Sequence, residues 1–285
     1  DANSDDDFDT VADQTVSVDT LDDDVAGFTI EETDGSTEVD ESGSTDIFTI
    51  VLDAQPTNDV VVLATASNDE TEATVSGSIT FTSENWDTPQ TVTVTGVDDD
   101  LVDGDQTYDI TISIVDTISD DEFDGVADQS VSSTTLDDDA PGFTIEETDA
   151  ATEVDESGST DIFTVVLDAQ PTSDVVLTIT SDDTGEATVP ASVTFTPVNW
   201  DTPQTVTVTG VDDDLVDGTI TSTITIAVDD ANSDDDFDTV TDQTVSVDTL
   251  DDDVAGFTIE ETDGSTEVDE SGSTDIFTVV LDAQP

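Results

Sequence analysis

The stretch NWDTPQTVTVTGVDDDLVDG occupies residues 85–104 and recurs without change at residues 199–218. Its centre, from Thr91 to Thr95, alternates threonine with valine. A period of two is typical of a strand that buries one face and exposes the other. A run of aspartates follows directly, so this one segment predicts a β-strand and an acidic loop at its end.

The same spacing recurs along the whole chain. Trp86 and Trp200 are 114 residues apart. The octapeptide GFTIEETD begins three times, at Gly27, Gly142 and Gly256. A period of this length corresponds to one domain per repeat and not to one turn of a solenoid.

The ends of the chain repeat each other as well. Residues 1–56 and 230–285 are identical except at two pairs of positions, Ala12/Thr241 and Ile50/Val279. We therefore predict complete domains at 26–139 and 140–253. We expect 1–25 to carry the C-terminal strand of a truncated preceding repeat, and 254–285 the N-terminal strands of a truncated following one.

Seven stretches with strand character follow one another within the first complete repeat, and Gly, Pro, Asn and Asp separate them. They lie at 27–33, 45–53, 59–66, 72–83, 89–97, 106–115 and 128–136, with a break in the fourth left open. Seven short strands without a helical period are typical of an Ig-like β-sandwich. We predict an all-β chain of tandem Ig-like, seven-strand β-sandwich domains in an extended array.

The charge of the chain is entirely of one sign. It contains 75 Asp and Glu residues and no Lys, Arg or His. No carboxylate can pair with a side-chain cation of its own chain, so neutralising ions must come from solution. Two carboxylates 4 Å apart repel by ~1 kcal/mol in water and ~4 kcal/mol near a protein surface. We exclude nucleic acid and direct membrane contact, because both require basic patches.

The missing residue types also exclude most enzyme chemistry. Without His, Cys or Lys there is no Ser–His or Cys–His nucleophile, no Schiff base and no zinc site of the usual ligands. A glycosidase with paired carboxylates would need sugar-stacking aromatics, and aromatic residues make up only 5% of the chain. We expect that the chain is not an enzyme.

Three acidic clusters recur in register. The joint clusters are Asp22, Asp23 and Asp24, then Asp137, Asp138 and Asp139, then Asp251, Asp252 and Asp253. The loop clusters are Asp98, Asp99, Asp100 and Asp103, matched by Asp212, Asp213, Asp214 and Asp217. The Glu pairs of the first strand are Glu31 and Glu32, then Glu146 and Glu147, then Glu260 and Glu261.

Sandwich topology would bring these clusters together. The loops after the third and fifth strands and the end of the last strand lie at one pole, and we expect the first strand to begin near it. Clustered carboxylates on loops are the preferred ligands of Ca²⁺, which takes six to eight oxygens. The alternative for each cluster is a solvated acidic turn that binds no ion.

The pattern DD-x₃-D-x-D-x₂-Y at Asp98–Tyr108, the terminal aspartates and the strand-one glutamate resemble the Calx-β domain of sodium–calcium exchangers and many bacterial surface proteins. The resemblance implies calcium sites. Their ligands would be Glu31 or Glu32, Asp69, Asp98, Asp99, Asp103 and Asp137–Asp139 in the first repeat. In the second they would be Glu146 or Glu147, Asp183, Asp212, Asp213, Asp217 and Asp251–Asp253. Gln106 and Thr219 depart from the family pattern.

Together these features predict an extracellular or cell-surface fibre that calcium stiffens, with a role in adhesion, cell–cell contact or matrix. Its expected partners are calcium ions and the adjacent repeats of the same chain, with a homo-oligomeric fibre as a further state. One alternative is a filament subunit that calcium bundles laterally. Another is an acidic surface protein, suited to high salt, without specific calcium sites.

Overall fold

The computed structural model describes residues 6–8, 11–67, 71–149 and 151–284. These residues form β-strands and a few three-residue 3-10 helices. Among them, no helix has the length and apolar character needed to cross a membrane.

The strands of the first repeat are nine short segments. They are β1 (Phe28–Glu32), β2 (Thr37–Asp40), β3 (Thr45–Leu52), β4 (Val60–Ala66), β5 (Ala73–Val75), β6 (Ser78–Phe81), β7 (Gln90–Gly96), β8 (Gln106–Ile114) and β9 (Gln129–Leu136). The 3-10 helices Asp116–Ile118 and Asp121–Phe123 lie between β8 and β9.

The second repeat follows the same order. Its strands are β10 (Phe143–Glu147), β11 (Thr152–Asp155), β12 (Thr160–Leu167), β13 (Val175–Ser181), β14 (Ala187–Thr188), β15 (Ser192–Phe195), β16 (Gln204–Gly210), β17 (Ile220–Val228) and β18 (Gln243–Leu250). A 3-10 helix, Asp235–Phe237, precedes β18. Two further strands, β19 (Phe257–Glu261) and β20 (Phe277–Leu281), follow the second repeat.

Each repeat is a sandwich of two sheets, which confirms the predicted all-β fold. In the first repeat the sheets have the orders β1-β3-β7-β5 and β2-β9-β8-β4-β6, and the second repeat has the equivalent orders. The number of strands differs from the prediction for two reasons. The stretch 72–83 divides into β5 and β6 around Gly77, and the additional β2 pairs parallel with β9.

The core lies between the two sheets of each repeat. Val92 and Val94 of β7 are fully buried, as are Phe48 and Ile50 of the neighbouring β3. The intervening threonines face outward, as the alternation predicts. Burying each large apolar side chain contributes ~1.5–3 kcal/mol, so this valine face is a main source of the sandwich's stability.

Identical octapeptides adopt different structures in this chain. QTVSVDTL at 243–250 forms β18, and its Val247 is fully buried. The same octapeptide at 14–21 forms no strand in the described structure, and its Val18 is 80% exposed. Strand β18 pairs with β11 and β17, whereas no described strand pairs with 14–21. The strand expected within 1–25 is therefore absent from described residues 11–25.

The pairing register gives each repeat two distinct poles. Strand β1 pairs antiparallel with β3, so Phe28 faces Leu52 and Glu32 faces Phe48. We call the pole where β1 begins the head pole, and the pole where β7 and β9 end the tail pole. The expectation that the first strand begins near the acidic loop is wrong, because antiparallel pairing places its start at the head pole.

Candidate metal centre

One group of three carboxylates lies at the tail pole of each complete repeat. Oxygens of Glu41, Asp99 and Asp139 all lie within 4.8 Å of one another. Glu156, Asp213 and Asp253 form the equivalent group under the same limit. We call these groups the first and second triads. Like charges this close repel one another unless a cation or a proton neutralises them.

Three separate elements bring the first triad together. Glu41 follows β2, Asp99 lies in the loop after β7, and Asp139 lies beyond β9. The backbone N–H of Glu41 donates to the carbonyl of Leu136 at 3.2 Å, which extends the parallel pairing of β2 with β9.

A glycine allows the third element to approach. A Cβ at Gly96, the last residue of β7, would lie only 1.9 Å from the carbonyl oxygen of Asp40. Gly210 stands in the same relation to Asp155 in the second repeat, at 2.1 Å. Only glycine permits this packing, so it places the loop after β7 beside the end of β2.

Asp137 holds the acidic loop against the end of β9. Its Oδ2 accepts hydrogen bonds from the backbone N–H groups of Gly104, at 2.8 Å, and Asp103, at 3.2 Å. Its Oδ1 accepts from the N–H of Asp139 at 2.8 Å. Asp251 makes the corresponding bonds to Gly218 and Asp253, both at 2.8 Å. These two aspartates therefore shape the site even where they bind no ion.

Several buried oxygens at the site are unpartnered. Among the described residues, Glu41 Oε2, Glu72 Oε2, Asp103 Oδ1 and Asp139 Oδ2 have no hydrogen-bond partner. The second repeat has Glu156 Oε1 and Oε2, Glu186 Oε2 and Asp253 Oδ2 in this state. Glu41 and Glu156 are each only 1% exposed. A buried carboxylate without a partner is costly, and a bound cation removes that cost.

The electrostatics of the site agree with its geometry. Burial raises the pKa of Glu41 to about 8, and the charges of Asp99 and Asp137 add to the effect. Burial, followed by the charge of Asp213, raises the pKa of Glu156 to about 7. Such shifts are typical of a carboxylate held among other carboxylates without a counter-ion.

The pKa values of further acidic side chains in and around each triad are also raised. Burial is the first cause of the raised pKa values of Glu72, Asp103, Asp139, Glu186 and Asp253. In every one of these residues, charges of neighbouring aspartates raise the pKa further.

The structure brings many of the predicted ligands together. Asp99, Asp139, Asp213 and Asp253 belong to the triads. Asp103, Asp137, Asp217 and Asp251 lie close enough to raise the pKa of the triad glutamates. Asp183 acts in the same way on Glu186. The charges of Asp100 and Asp138 raise the pKa of Asp139, and those of Asp212, Asp214 and Asp252 raise that of Asp253.

Other predicted ligands are not assigned to a triad among the described residues. Asp98 is exposed and belongs to neither triad, and Asp69 lies outside the described residues. The Glu pairs of the first strand, Glu31 and Glu32 and then Glu146 and Glu147, are paired with β3 and β12 and are not part of a triad. Glu32 instead accepts a hydrogen bond from the Thr37 hydroxyl at 3.1 Å.

Sequence reasoning missed Glu41 and Glu72, and their equivalents Glu156 and Glu186. The signal for Glu41 is the alternation in TEVDE, which places Thr37, Val39 and Glu41 on one buried face. A glutamate that continues a buried face has to meet a cation or remain protonated. Glu72 lies among polar residues and carries no comparable signal.

The site adjoins the next repeat. The N–H of Gln170 donates to the carbonyl of Asp100 at 2.6 Å, and the N–H of Val102 donates to the carbonyl of Gln170 at 2.9 Å. The side chain of Val102 is 6% exposed and packs within the core of the second repeat. The loop that supplies Asp99 to the first triad thus also joins the two repeats.

No protein-family model matches the sequence, and no curated protein is a sequence match. Solved structures with a similar fold include CBD12 from CALX1.2, with 15% identity and a TM-score of 0.29 over 70% of this chain and 79% of that one. The apo-form Calx CBD1 domain has 15% identity and a TM-score of 0.29 over 39% and 98%. Domains 4 and 5 of the S-layer protein SbsC have 15% identity and a TM-score of 0.30 over 80% and 99%. These likenesses concern the fold alone.

Proposed function

We propose that this chain is a secreted or cell-surface structural fibre of tandem repeats that calcium stiffens, with a role in adhesion, cell–cell contact or extracellular matrix. One observation carries the proposal. Two equivalent triads of carboxylates, with buried unpartnered oxygens, lie at the ends of consecutive repeats. The proposed role is structural and not catalytic.

Calcium fits the donor set better than other common metals. All donors are oxygens, and the chain has no His or Cys to favour zinc. Beside the first triad, Glu72 and Asp103 present further unpartnered oxygens. Such a crowded set suits the six to eight oxygens of Ca²⁺, whereas Mg²⁺ demands strict octahedral geometry and keeps several waters.

The position of the triads supports a stiffening role. Asp139 lies in the short joint between β9 and β10, and Asp99 lies in the loop that contacts Gln170 of the next repeat. Without a cation, repulsion would loosen both segments. A bound ion would tie the joint, the loop and Glu41 to one point, so bending at the joint would become costly.

The expected gain in stability is substantial for domains with such high charge. Extracellular calcium modules have dissociation constants of roughly 0.1–1 mM. An ion present at about 100 times its dissociation constant adds ~2.7 kcal/mol per site to the free energy of unfolding. Two complete repeats would each gain this amount.

Calorimetric titration with CaCl₂ tests the proposal. We expect saturable binding at both complete repeats, and its loss from one repeat in Glu41→Gln and from the other in Glu156→Gln. Glu38→Gln and Glu153→Gln are matched controls, because these glutamates are exposed on the same strands, β2 and β11. Equal binding by the triad and control variants would refute a calcium role for the triads.

A further inference from the structure

The outer face of the four-stranded sheet carries almost no charge. Strands β3 and β7 are the two central strands of this sheet, and β1 and β5 are its edges. The side chains that β3 and β7 turn away from the core are Thr, Ile and Val only. They include Thr45, Ile47, Thr49, Thr91, Thr93 and Thr95. We call this surface, and its equivalent on the sheet β10-β12-β16-β14, the threonine face.

A face of this size with so little charge is unusual in this chain. Charged residues make up 26% of the sequence, and all of them are acidic. Among the four strands of the threonine face, only the edge strand β1 turns a carboxylate outward, that of Glu31. The opposite sheet exposes Glu38 on β2 and Asp109 on its central strand β8. Two copies of the chain can therefore approach at the threonine face with far less repulsion than at the opposite sheet.

The second repeat presents the same face. Its strands carry the same residue types at the equivalent outward positions, with Glu146 in place of Glu31. Ile47 and its equivalent Ile162 are both 37% exposed. The opposite sheets differ, because Asp109 of the first repeat corresponds to Thr223 of the second. The surface that the two repeats share is thus the threonine face.

Some hydroxyl groups of this face already have partners within the chain. The Thr29 hydroxyl donates to the Asp53 carboxylate at 2.8 Å, and the Thr49 hydroxyl donates to the carbonyl of Glu31 at 3.4 Å. The second repeat has the equivalent bonds, at 2.7 and 3.5 Å. Covering these threonines therefore leaves few polar groups without a partner, and their methyl groups gain from burial.

We infer that the threonine face packs against the threonine face of a second copy of this chain, sheet on sheet and about 10 Å apart. The two chains run in the same direction, so that β1 of each copy lies opposite β5 of the other. Glu31 pairs with Thr49 near the middle of β3. Chains in opposite directions would therefore bring the two Glu31 carboxylates together, whereas chains in the same direction keep them at opposite edges. This inference rests on the proposed fibre function and names the surface through which fibres associate side by side.

The area of the face gives tandem repeats a role in this contact. The strands β1, β3, β7 and β5 contain 5, 8, 7 and 3 residues. At ~4.8 Å between strands and ~3.3 Å per residue, they cover ~360 Å². One pair of faces buries ~700 Å² in total, which is below the ~1,200–2,000 Å² of a specific interface, whereas two pairs reach ~1,400 Å². Association therefore needs both repeats, and a stiffened joint holds their faces in a fixed relation so that they act together.

Sedimentation of the whole chain tests the inference. The net charge of −75 must be screened, so the measurements are made in about 10 mM CaCl₂ and in about 2 M NaCl. We expect association that Ile47→Asp/Ile162→Asp weakens at least about 100-fold, because like charges would meet inside the contact. The single variant Ile47→Asp should already lose most of the association, because one pair of faces is too small.

Leu63→Asp/Thr178→Asp is the matched control. These residues occupy equivalent outward positions on the opposite sheets, on β4 and β13, and Leu63 is 37% exposed, as Ile47 is. The control adds the same two charges and should leave association unchanged. Equal effects of the two double variants, or a monomer at every concentration in both salts, would overturn the inference.

Spin labelling tests the orientation without a charged variant. The chain has no cysteine, so Thr45→Cys carries a single nitroxide. Thr45 begins β3, and in chains that run in the same direction the two labels should lie within ~20 Å, because packed sheets are ~10 Å apart. The spectrum should therefore broaden on association, and that of the control Leu63→Cys should not. An associated sample with no broadening at Thr45→Cys, or with equal broadening at both positions, would overturn the inference.

The same measurements separate this inference from the calcium proposal. Calcium binding without association would overturn the threonine-face contact and leave the calcium sites standing. Association in NaCl that Ile47→Asp/Ile162→Asp abolishes, in a chain that binds no calcium, would support the contact and refute the calcium proposal.

Discussion

Carboxylate oxygens of Glu41 and Asp139 lie within 4.8 Å of each other, although β3 to β9 separate the two residues in the chain. The parallel pairing of β2 with β9 brings them together, because Asp40 lies opposite Leu136. The turn after β2, which contains Glu41, and the joint to the next repeat, which contains Asp139, thus meet at one point. A cation at this point would act on the joint directly.

Glu41→Gln should have opposite effects with and without calcium. In chelator at neutral pH the free energy of unfolding of the variant should be ~1–3 kcal/mol higher than that of the natural chain, because Gln needs neither a buried charge nor the uptake of a proton on folding. In calcium it should gain less from the ion, because a ligand is lost. Chemical denaturation in both conditions measures this. A variant that is less stable than Glu38→Gln in chelator would contradict the prediction.

The stability of the metal-free protein should depend on pH in an unusual direction. The pKa of Glu41 is raised from 4.5 to about 8, so the folded state keeps this proton to higher pH than the unfolded state does. The free energy of unfolding should therefore be highest below pH 4.5 for this group and fall as pH rises from 4.5 through about 8. Denaturation in chelator across this range measures the slope, which Glu41→Gln should reduce.

The affinity of the protein for calcium should also depend on pH. Protons compete with the ion for the triad carboxylates, so the apparent calcium affinity should increase as pH rises through the same window. Titrations at several pH values would show this increase. A calcium affinity that does not change with pH would argue against binding at Glu41 and Glu156.

Gly96→Ala should damage both fold and site. Its Cβ would lie 1.9 Å from a backbone oxygen, which cannot move without displacing β2. We expect a loss of several kcal/mol in stability and weaker calcium binding. Gly77→Ala is the matched control, because a Cβ at Gly77 meets nothing within 4 Å. Similar losses in both variants would show that the contact with Asp40 is unimportant.

Val102→Asp should loosen the joint between the repeats. The valine is 6% exposed in the core of the second repeat, so a carboxylate there would be expelled with the loop. We expect faster proteolysis within the joint 137–142 and greater flexibility by small-angle scattering. Val198→Asp, at a position 90% exposed, is the control and should change neither measurement.

The octapeptide QTVSVDTL occurs once in a strand and once outside one. The same substitution in each copy therefore measures the effect of burial. Val247→Asp should cost ~3 kcal/mol or more, because it buries a charge in the core. Val18→Asp changes the equivalent residue of the identical octapeptide, which is 80% exposed, and should be nearly neutral. Thermal unfolding of the two variants measures the difference. Equal effects would mean that 14–21 packs as a strand.

Much of the fold could be predicted from the sequence, because alternation in stretches such as 90–96 reports burial directly. Strand β2 escaped prediction because TEVD is short and lies between glycine- and serine-rich turns. The different structures of 14–21 and 243–250 could not be predicted from local sequence, since the two octapeptides are identical and only 243–250 pairs with other described strands. Pairing across the sheet decides that outcome.

The candidate site was predictable in part for similar reasons. Runs such as Asp98–Asp100 and Asp137–Asp139 stand out in the sequence, and the topology brings members of both runs together. Glu41 follows Asp40 in a short turn outside the long acidic runs, and only the buried face of β2 reveals it. Glu31 and Glu32 stand out as a pair, yet pairing register keeps them in the sheet and out of the triad.

Thermal unfolding of the whole chain in chelator, in about 10 mM CaCl₂ and in about 2 M NaCl tests the central claim most directly. If the triads bind calcium, the melting temperature should rise far more in CaCl₂ than in NaCl, and the combined Glu41→Gln/Glu156→Gln variant should lose most of this difference. Equal stabilisation by NaCl alone would contradict specific calcium sites and would indicate an acidic surface that requires only screening.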